Sequence, residues 1–385
     1  MLPIGSQRPL FDIPPGIAYF NTAYGSPLLN ASRDRLIVGA GATSRPWERT
    51  PKDFFADAES IRVLAAALFG GDVDGFAITP AASYGLSAAA RAIEPTLEPG
   101  DRIVVLDEEF PSNVLPWRRV ARETGAVMVT IPTPLDGDWT TPTLAEITQG
   151  ARVAALSHCH WTNGALLDID TISRACRTAG AALVLDVTQS LGAMPLDLGA
   201  VDPDFVVAAG YKWLLSPYGF GLTYVGRRWR DARPLEESWL AREGAEDFAA
   251  LVDYSDTYMP GARRFDVGEK CVSTLLPGAI AALEQLLDWG IAEIASSLAA
   301  INRRIRTRLE SRGFGVPEAT RHSPHMFGAR LPAGFSGDFI GLLRGQGVFV
   351  SRRGSSIRIA PHLHVTEPDL EQLFAAVDCA LTLGH

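Results

Sequence analysis

Positive charge is in deficit along this chain: 35 lysines and arginines face 44 aspartates and glutamates, a formal net charge of −9. Proteins that hold nucleic acid or an anionic membrane by charge carry a basic surface, so neither partner is expected. Cysteine is scarce as well. The 4 residues, Cys159, Cys176, Cys271 and Cys379, form no Cys-x-x-Cys pair, which argues against a disulfide framework or a zinc site and for reduced thiols in the cytoplasm. No run approaches the roughly 18 apolar residues of a membrane span. The opening MLPIGSQRPLFDIPPG has no basic head followed by an apolar stretch, so it does not read as a signal peptide. A Gly-x-Gly-x-x-Gly turn after the first strand and a Walker lysine are both missing, which argues against a nucleotide-binding doubly wound protein. Repeats, low-complexity tracts and linkers are missing too.

With 385 residues, 47% hydrophobic and 21% charged, the chain can bury a large core and fill two domains. One stretch, Ala181 to Tyr224, organises the rest. Its first apolar run, Ala182 to Leu185, predicts a buried strand that ends on Asp186. A second, Phe205 to Ala209, ends in Gly210-Tyr211-Lys212. Neither run alternates polar with apolar residues, as expected of central strands in a covered parallel sheet. Ligands of such sheets lie beyond the carboxyl ends of the strands. An acid and a lysine are therefore expected beside one another where a cofactor would lie.

That pair suits pyridoxal phosphate. A lysine amine that loses its proton in a desolvated pocket can form an imine with the cofactor aldehyde. A carboxylate against the pyridine nitrogen keeps the ring able to accept electrons. Taken singly, an Asp would read as a helix cap and a Lys as a solvated side chain. Gln189, shortly after Asp186, and the turn Pro217-Tyr218-Gly219-Phe220-Gly221 after Lys212 strengthen the cofactor reading.

Asp186-Val-Thr-Gln189-Ser followed by Gly-Tyr-Lys212-Trp and a Gly-x-Gly turn resembles the class V aminotransferase and cysteine desulfurase group of fold-type I pyridoxal phosphate enzymes, over about Tyr19 to Thr366. The resemblance implies an α/β fold: a large domain with a mostly parallel, seven-stranded-type sheet, plus a small C-terminal α+β domain. An N-terminal arm (1–20), a large cofactor-binding domain (21–285) and a small domain (286–385, with help from the arm) are expected. A homodimer with shared active sites and a small amino-acid substrate are implied as well.

The same resemblance assigns roles. Lys212 binds pyridoxal 5'-phosphate and then moves the substrate's α-proton, with Tyr211 beside it among the cofactor contacts. Asp186 holds the pyridinium. Phe76 to Arg91 reads as a strand running into a helix that begins near Tyr84, and Ala82 and Ser83 match the pair that holds the phosphate; free N–H groups at a helix start suit that task. Read without the family, Ser83 is an N-cap. After the expected strand Ile103 to Leu106, Phe110 stands where desulfurases place a histidine; Phe-Pro is closer to the kynureninase-like and epimerase-like relatives, and Phe110 is assigned to stacking on the ring. Asn113 is placed near the ring oxygen. Asn163 and Gln189 are given the phenolic oxygen. In the segment Ile17 to Leu29, Asn21 and Ala23 become candidate substrate contacts.

Arg358, in Ser-Ile-Arg-Ile, matches the arginine that holds the substrate carboxylate, a bidentate task for a planar fork; its neighbours Ile357 and Ile359 face the other way. The run His158-Cys159-His160 is not read as a metal site, because adjacent residues of an extended chain point to opposite faces. Ala262 to Gly268 resembles the segment that crosses a dimer to the partner's phosphate, but Glu269-Lys270 replaces its Thr-Pro; either Lys270 substitutes or the loop has shifted. The loop Ser351 to Ser356 holds no cysteine, which argues against persulfide chemistry. Transamination is the first expectation, with a C–S or C–C lyase or an epimerase as alternatives and a cofactor-free scaffold as the reading from another class.

Overall fold

The computed structural model describes residues 4–383. Along the chain the strands are β1 (Ala18–Tyr19), β2 (Phe76–Thr79), β3 (Arg102–Leu106), β4 (Val127–Ile131), β5 (Ala151–Ser157), β6 (Ala182–Asp186), β7 (Phe205–Ala209), β8 (Gly221–Val225), β9 (Phe327–Arg330), β10 (Val348–Phe349), β11 (Ser351–Arg353) and β12 (Ser356–Ile359). Strands β2 to β8 form one sheet in the order β2-β8-β7-β6-β5-β3-β4. Only the pairings of β8, with β2 and with β7, are antiparallel. Every residue of β6 and β7 is buried, because helices cover both faces. Leu183, Leu185, Val206 and Ala208 pack into one apolar cluster, while Ala182, Val184, Phe205 and Val207 pack into another on the opposite face. The period of two that a strand imposes thus splits each run between two cores.

Along the sequence the sheet grows outward from β3 to β4, then returns past β3 through β5, β6 and β7. The switch lies between β3 and β5. The carboxyl ends of β3, β5, β6 and β7 open on one crevice there, the place where open α/β sheets bind ligands.

A third apolar cluster gathers Phe327, Ala329, Ile357, Ile359, Leu373 and Val377 with Ala18 and Phe20 from the beginning of the chain. Strands β11, β12 and β9 form an antiparallel sheet there, and β1 pairs in parallel with β10. The helix Glu367–Leu383 starts on a reciprocal cap: Thr366 N–H donates to Asp369 Oδ2 at 2.8 Å and Asp369 N–H to Thr366 Oγ1 at 3.3 Å. Arg8 pairs with the same Asp369 at 2.7 Å and ties the N-terminal segment down. Helix Ile291–Glu310 serves both cores, with Ile294 and Leu298 in the large one and Ile305 and Leu309 in the small one. We propose that the domain boundary falls inside this helix rather than at 286.

Three local features depart from what simple sequence patterns suggest. The helix expected near Tyr84 begins at Ala82, because the N–H of Tyr84 already donates back to Ala81. The extended chain from Val348 to Arg353 divides at Val350, its halves β10 and β11 pairing with different partners, β1 and β12. Helix Asn30–Ala42 has no apolar stripe to announce it. It is held by close approach instead: a Cβ on Gly39 would lie 2.1 Å from the Ser273 carbonyl oxygen.

Candidate active site

Four strand ends build one cavity. The chain after β3 supplies Glu109 and Phe110, β5 and its continuation Ser157, Cys159 and Trp161, β6 and its continuation Asp186, Thr188 and Gln189, and β7 Ala209, Tyr211 and Lys212. Residues Pro80 to Ser83 close one end, together with Tyr218 and Gly219. The Lys212 turn is fixed by backbone bonds, Gly210 N–H to Phe220 O at 2.8 Å and Ser216 N–H to Gly210 O at 3.0 Å. A side chain at Gly210 would stand 2.7 Å from the Phe220 carbonyl, so only glycine closes this turn.

Lys212 is 7% exposed. Burial pulls its amine down to about 8; Asp186 opposes that shift, while Arg358 and Arg353 add to it. Its Nζ lies 5.6 Å from the ring centroids of both Phe110 and Tyr211. Asp186 accepts the Thr188 N–H at 2.9 Å, and Thr188 Oγ1 accepts the Ala209 N–H at 3.1 Å, which locks the ends of β6 and β7 together. Burial pushes the Asp186 carboxyl above its ordinary range, against the Thr188 hydrogen bonds and the Lys212 charge.

Arg358 is 1% exposed and donates Nη1–H to the Trp161 carbonyl at 2.7 Å, while its Nε and Nη2 find no partner. Buried donors of this kind cost free energy unless a ligand accepts from them. Ile357 and Ile359 on either side of it lie in the small core, so Arg358 faces the other way, toward Trp161.

The structure brings Lys212, Asp186, Gln189, Phe110, Tyr211, Ala82 and Ser83 to one cavity. Ser83 is not the N-cap: that position is Ala81, which has no side-chain cap, so the first N–H groups of the Ala82–Ile93 helix face the cavity end unclaimed by any cap. Gln189 accepts from Trp213 Nε1 at 2.9 Å and donates one amide hydrogen to the Ala23 carbonyl at 3.0 Å. Its second amide hydrogen stays free for a ring oxygen.

Other expected residues lie elsewhere. Asn163 lines a neighbouring cleft, and its Oδ1 is taken by the Ala165 N–H at 3.0 Å; Trp161, two residues earlier, lines the cavity instead. The intervening turn places only one of these side chains on the inner side. Asn21 lines a third cleft beside β11, and Asn113 is buried outside the lining. Lys270 does not reach outward: it is 1% exposed and pairs with Asp266 at 3.0 Å.

Two groups in the cavity were not expected. Glu109, fully enclosed, is raised to about 7 by burial and by the adjacent Asp186 charge, and it accepts the Phe110 N–H at 2.7 Å. Its place in Asp107-Glu108-Glu109, three residues after the expected strand end at Leu106, gave no sequence signal of enclosure. Cys159 is brought in by the fold although it is remote from Arg358 in sequence, and burial pushes its thiol up to about 12. Its neighbours turn elsewhere: His160 stacks on Trp139 at 5.1 Å and contacts Thr162 at 2.8 Å.

A ring carrying an aldehyde, a basic nitrogen and a phosphate fits this donor set. The buried amine would meet the aldehyde, Asp186 the ring nitrogen and the uncapped helix start the phosphate, with Phe110 placed to cover a face of the ring. Isopenicillin N epimerase from Streptomyces clavuligerus is 27% identical to this chain, the match covering 96% of each. A probable cysteine desulfurase of Pyrococcus abyssi is 27% identical over 61% of this chain and 57% of its own. The apo structure of the cysteine desulfurase from Thermococcus onnurineus NA1 has the same fold, with a TM-score of 0.85 over 99% of this chain and 100% of that one, at 17% identity. The aminotransferase class-V model matches residues 25–367, and the chain belongs to that family of pyridoxal 5'-phosphate enzymes.

Proposed function

We propose that the protein transfers the amino group of an amino acid, with Lys212 as the one base that moves the α-proton. Bound pyridoxal 5'-phosphate supplies the aldehyde and the electron sink. The observation that carries this reading is the placement of Lys212. Its amine is buried, titrates near about 8, and lies in the same cavity as Asp186 with the unpartnered nitrogens of Arg358 close by. Arg358 binds the substrate carboxylate, and the Trp161 carbonyl fixes its plane. Phe110, Trp161 and Tyr211 keep water from the reacting carbon. A single base can carry a proton from the α-carbon to the cofactor side, whereas inversion calls for delivery to the opposite face. Glu109 is engaged by the Phe110 N–H and held toward its neutral form by burial and the nearby Asp186 charge, which supports Lys212 as that single base.

Epimerisation is the second reading, favoured by the near full-length match to isopenicillin N epimerase. Persulfide chemistry is disfavoured: Ser351 to Ser356 contains no cysteine, and burial keeps the Cys159 thiol protonated at neutral pH. The test is to record the visible spectrum of the purified protein, reduce it with borohydride and map the label. Label on Lys212, followed by keto-acid formation across a panel of amino acids, supports transamination. Racemised product without keto acid selects the epimerase, and a protein that pyridoxal phosphate cannot colour sinks both.

Capture of the aldehyde requires the free amine. Its rate is expected to rise with pH through an inflection near about 8. Asp186→Asn should move that inflection down, because an anion favouring the charged amine is gone. An inflection near about 10 in stopped-flow traces would mean an amine in contact with solvent. A homodimer is also proposed: Ser83 and Tyr218, the latter 77% exposed, sit at the cavity edge of the single chain where a second copy can cover them. Sedimentation equilibrium at a monomer mass would refute it.

A further inference from the structure

The hairpin that carries Arg358 presents a second arginine on the same face. Register pairs Ser351 with Arg358 and Arg353 with Ser356. Directly paired residues project to one side of a sheet, and so do residues two apart along a strand. Ser351, Arg353, Ser356 and Arg358 therefore share one face, opposite Ile357 in the small core. Two contacts show where that face points. Arg358 donates to the Trp161 carbonyl, and the Arg353 guanidinium lies 5.7 Å from the Trp161 ring centroid. Trp161 lines the Lys212 cavity.

Among the described residues no ion pair neutralises this second arginine. Arg353 donates to the Arg352 carbonyl at 2.7 Å, and among the described residues no carboxylate pairs with Arg353, Arg352 or Arg344. These three arginines line one cleft beside β11 that has no acidic residue in its wall, in a protein whose acids outnumber its bases 44 to 35. In the same wall the hydroxyl of Ser351, a residue 9% exposed, is buried without a hydrogen-bond partner. Charge accumulates here without compensation: Arg353 disfavours the charged forms of both Lys212 and Arg358.

Resting on the aminotransferase-type reading above, we propose that Arg353, helped by the Ser351 hydroxyl, binds a second anionic group of the substrate. The amino acid would carry an oxyanion on its side chain, a carboxylate in the simplest case. Arg358 takes the α-carboxylate. Diagonal positions on paired strands are about 7 Å apart, and two long side chains converging on Trp161 can close on the two ends of one short molecule. Each guanidinium offers a planar fork to a carboxylate, and a second fixed point also orients the α-hydrogen toward Lys212.

The test compares the holoenzyme with aspartate and glutamate against asparagine and glutamine, which have nearly the same shape without the second charge. The ratio of kcat/KM for acidic over amide substrates is expected to exceed about 10. In Arg353→Met it should fall by roughly 10- to 100-fold, mostly through KM, with Arg353→Lys intermediate. Calorimetry with succinate against butyrate reads the subsite independently of turnover, in protein with or without cofactor. Tighter binding of succinate that disappears in Arg353→Met supports the proposal. It is overturned if amides are used as well as acids, or if Arg353→Met lowers both classes alike. Should that variant fail to fold, the wild-type substrate ratio and the succinate titration decide alone. Failure to take up pyridoxal phosphate would instead overturn the functional reading, and the succinate titration of the cofactor-free protein would still report on Arg353.

Discussion

Lys212→Ala is expected to lose at least about 10³-fold in turnover while keeping its fold. The amine sits at the end of β7 in a turn whose backbone bonds, Gly210 to Phe220 and Ser216 to Gly210, do not involve its side chain. Truncation therefore removes the base without dismantling its support. Stability gives a second readout. The folded amine titrates near about 8 against an ordinary 10.5, so the unfolded chain binds more protons between those values. Stability of the cofactor-free wild type is then expected to rise as pH goes from about 8 to about 10.5, by on the order of 3 kcal/mol if no other group intervenes. Below that window the charged amine is buried at its full penalty. Urea unfolding of Lys212→Ala should lack this slope. An identical slope in both proteins would place the titrating group elsewhere, and residual turnover within about tenfold of wild type would remove Lys212 from the chemistry.

Most residues legible in the sequence follow the carboxyl ends of buried strands, while Arg358 was legible from its alternation with Ile357 and Ile359. Ala182 to Asp186 and Phe205 to Ala209 announced themselves by apolar runs, and the position after each run fixed Asp186 and Lys212. Phe110 was found the same way, after Leu106. Asn163 was not, because it lies in an irregular turn where sequence spacing carries no information about side-chain direction. In that turn Trp161 faces the cavity, and Asn163 turns its carbonyl back on Ala165. Helix Asn30–Ala42 was illegible for another reason: it packs through Ser32 and Gly39 rather than through an apolar stripe. Glu109 was overlooked because an acid among Asp107, Glu108 and Glu109 reads as a solvated run. Only the strand geometry shows that one of the three is enclosed beside Asp186.

Asp266→Ala is expected to destabilise the fold by about 3–5 kcal/mol, the largest effect of any single charge removal outside the cavity. The carboxylate is 2% exposed and has three partners. Oδ2 accepts from Arg62 Nη2 at 2.6 Å and pairs with Lys270 at 3.0 Å, and Oδ1 accepts the Ile78 N–H at 2.8 Å. Arg62 and Lys270 are 0% and 1% exposed; alanine leaves Lys270 and the Ile78 amide without their acceptor and leaves Arg62 with only Glu59 and the Phe76 carbonyl. Ile78 belongs to β2, and the chain from β2 runs directly into the helix start at Ala82 that closes one end of the cavity. Loss of Asp266 should therefore also weaken cofactor retention, although the residue touches no cavity atom. Asp266→Asn keeps an acceptor for Ile78 and should fall between wild type and alanine. The exposed pair Arg304–Glu367 provides the contrast, since Glu367→Ala is expected to change stability by no more than about 1 kcal/mol. Urea titration with cofactor release followed by absorbance measures both effects. A loss below about 1 kcal/mol in Asp266→Ala would show that water reaches Arg62 and Lys270 and that the segment after Ala262 is not what holds β2 in place.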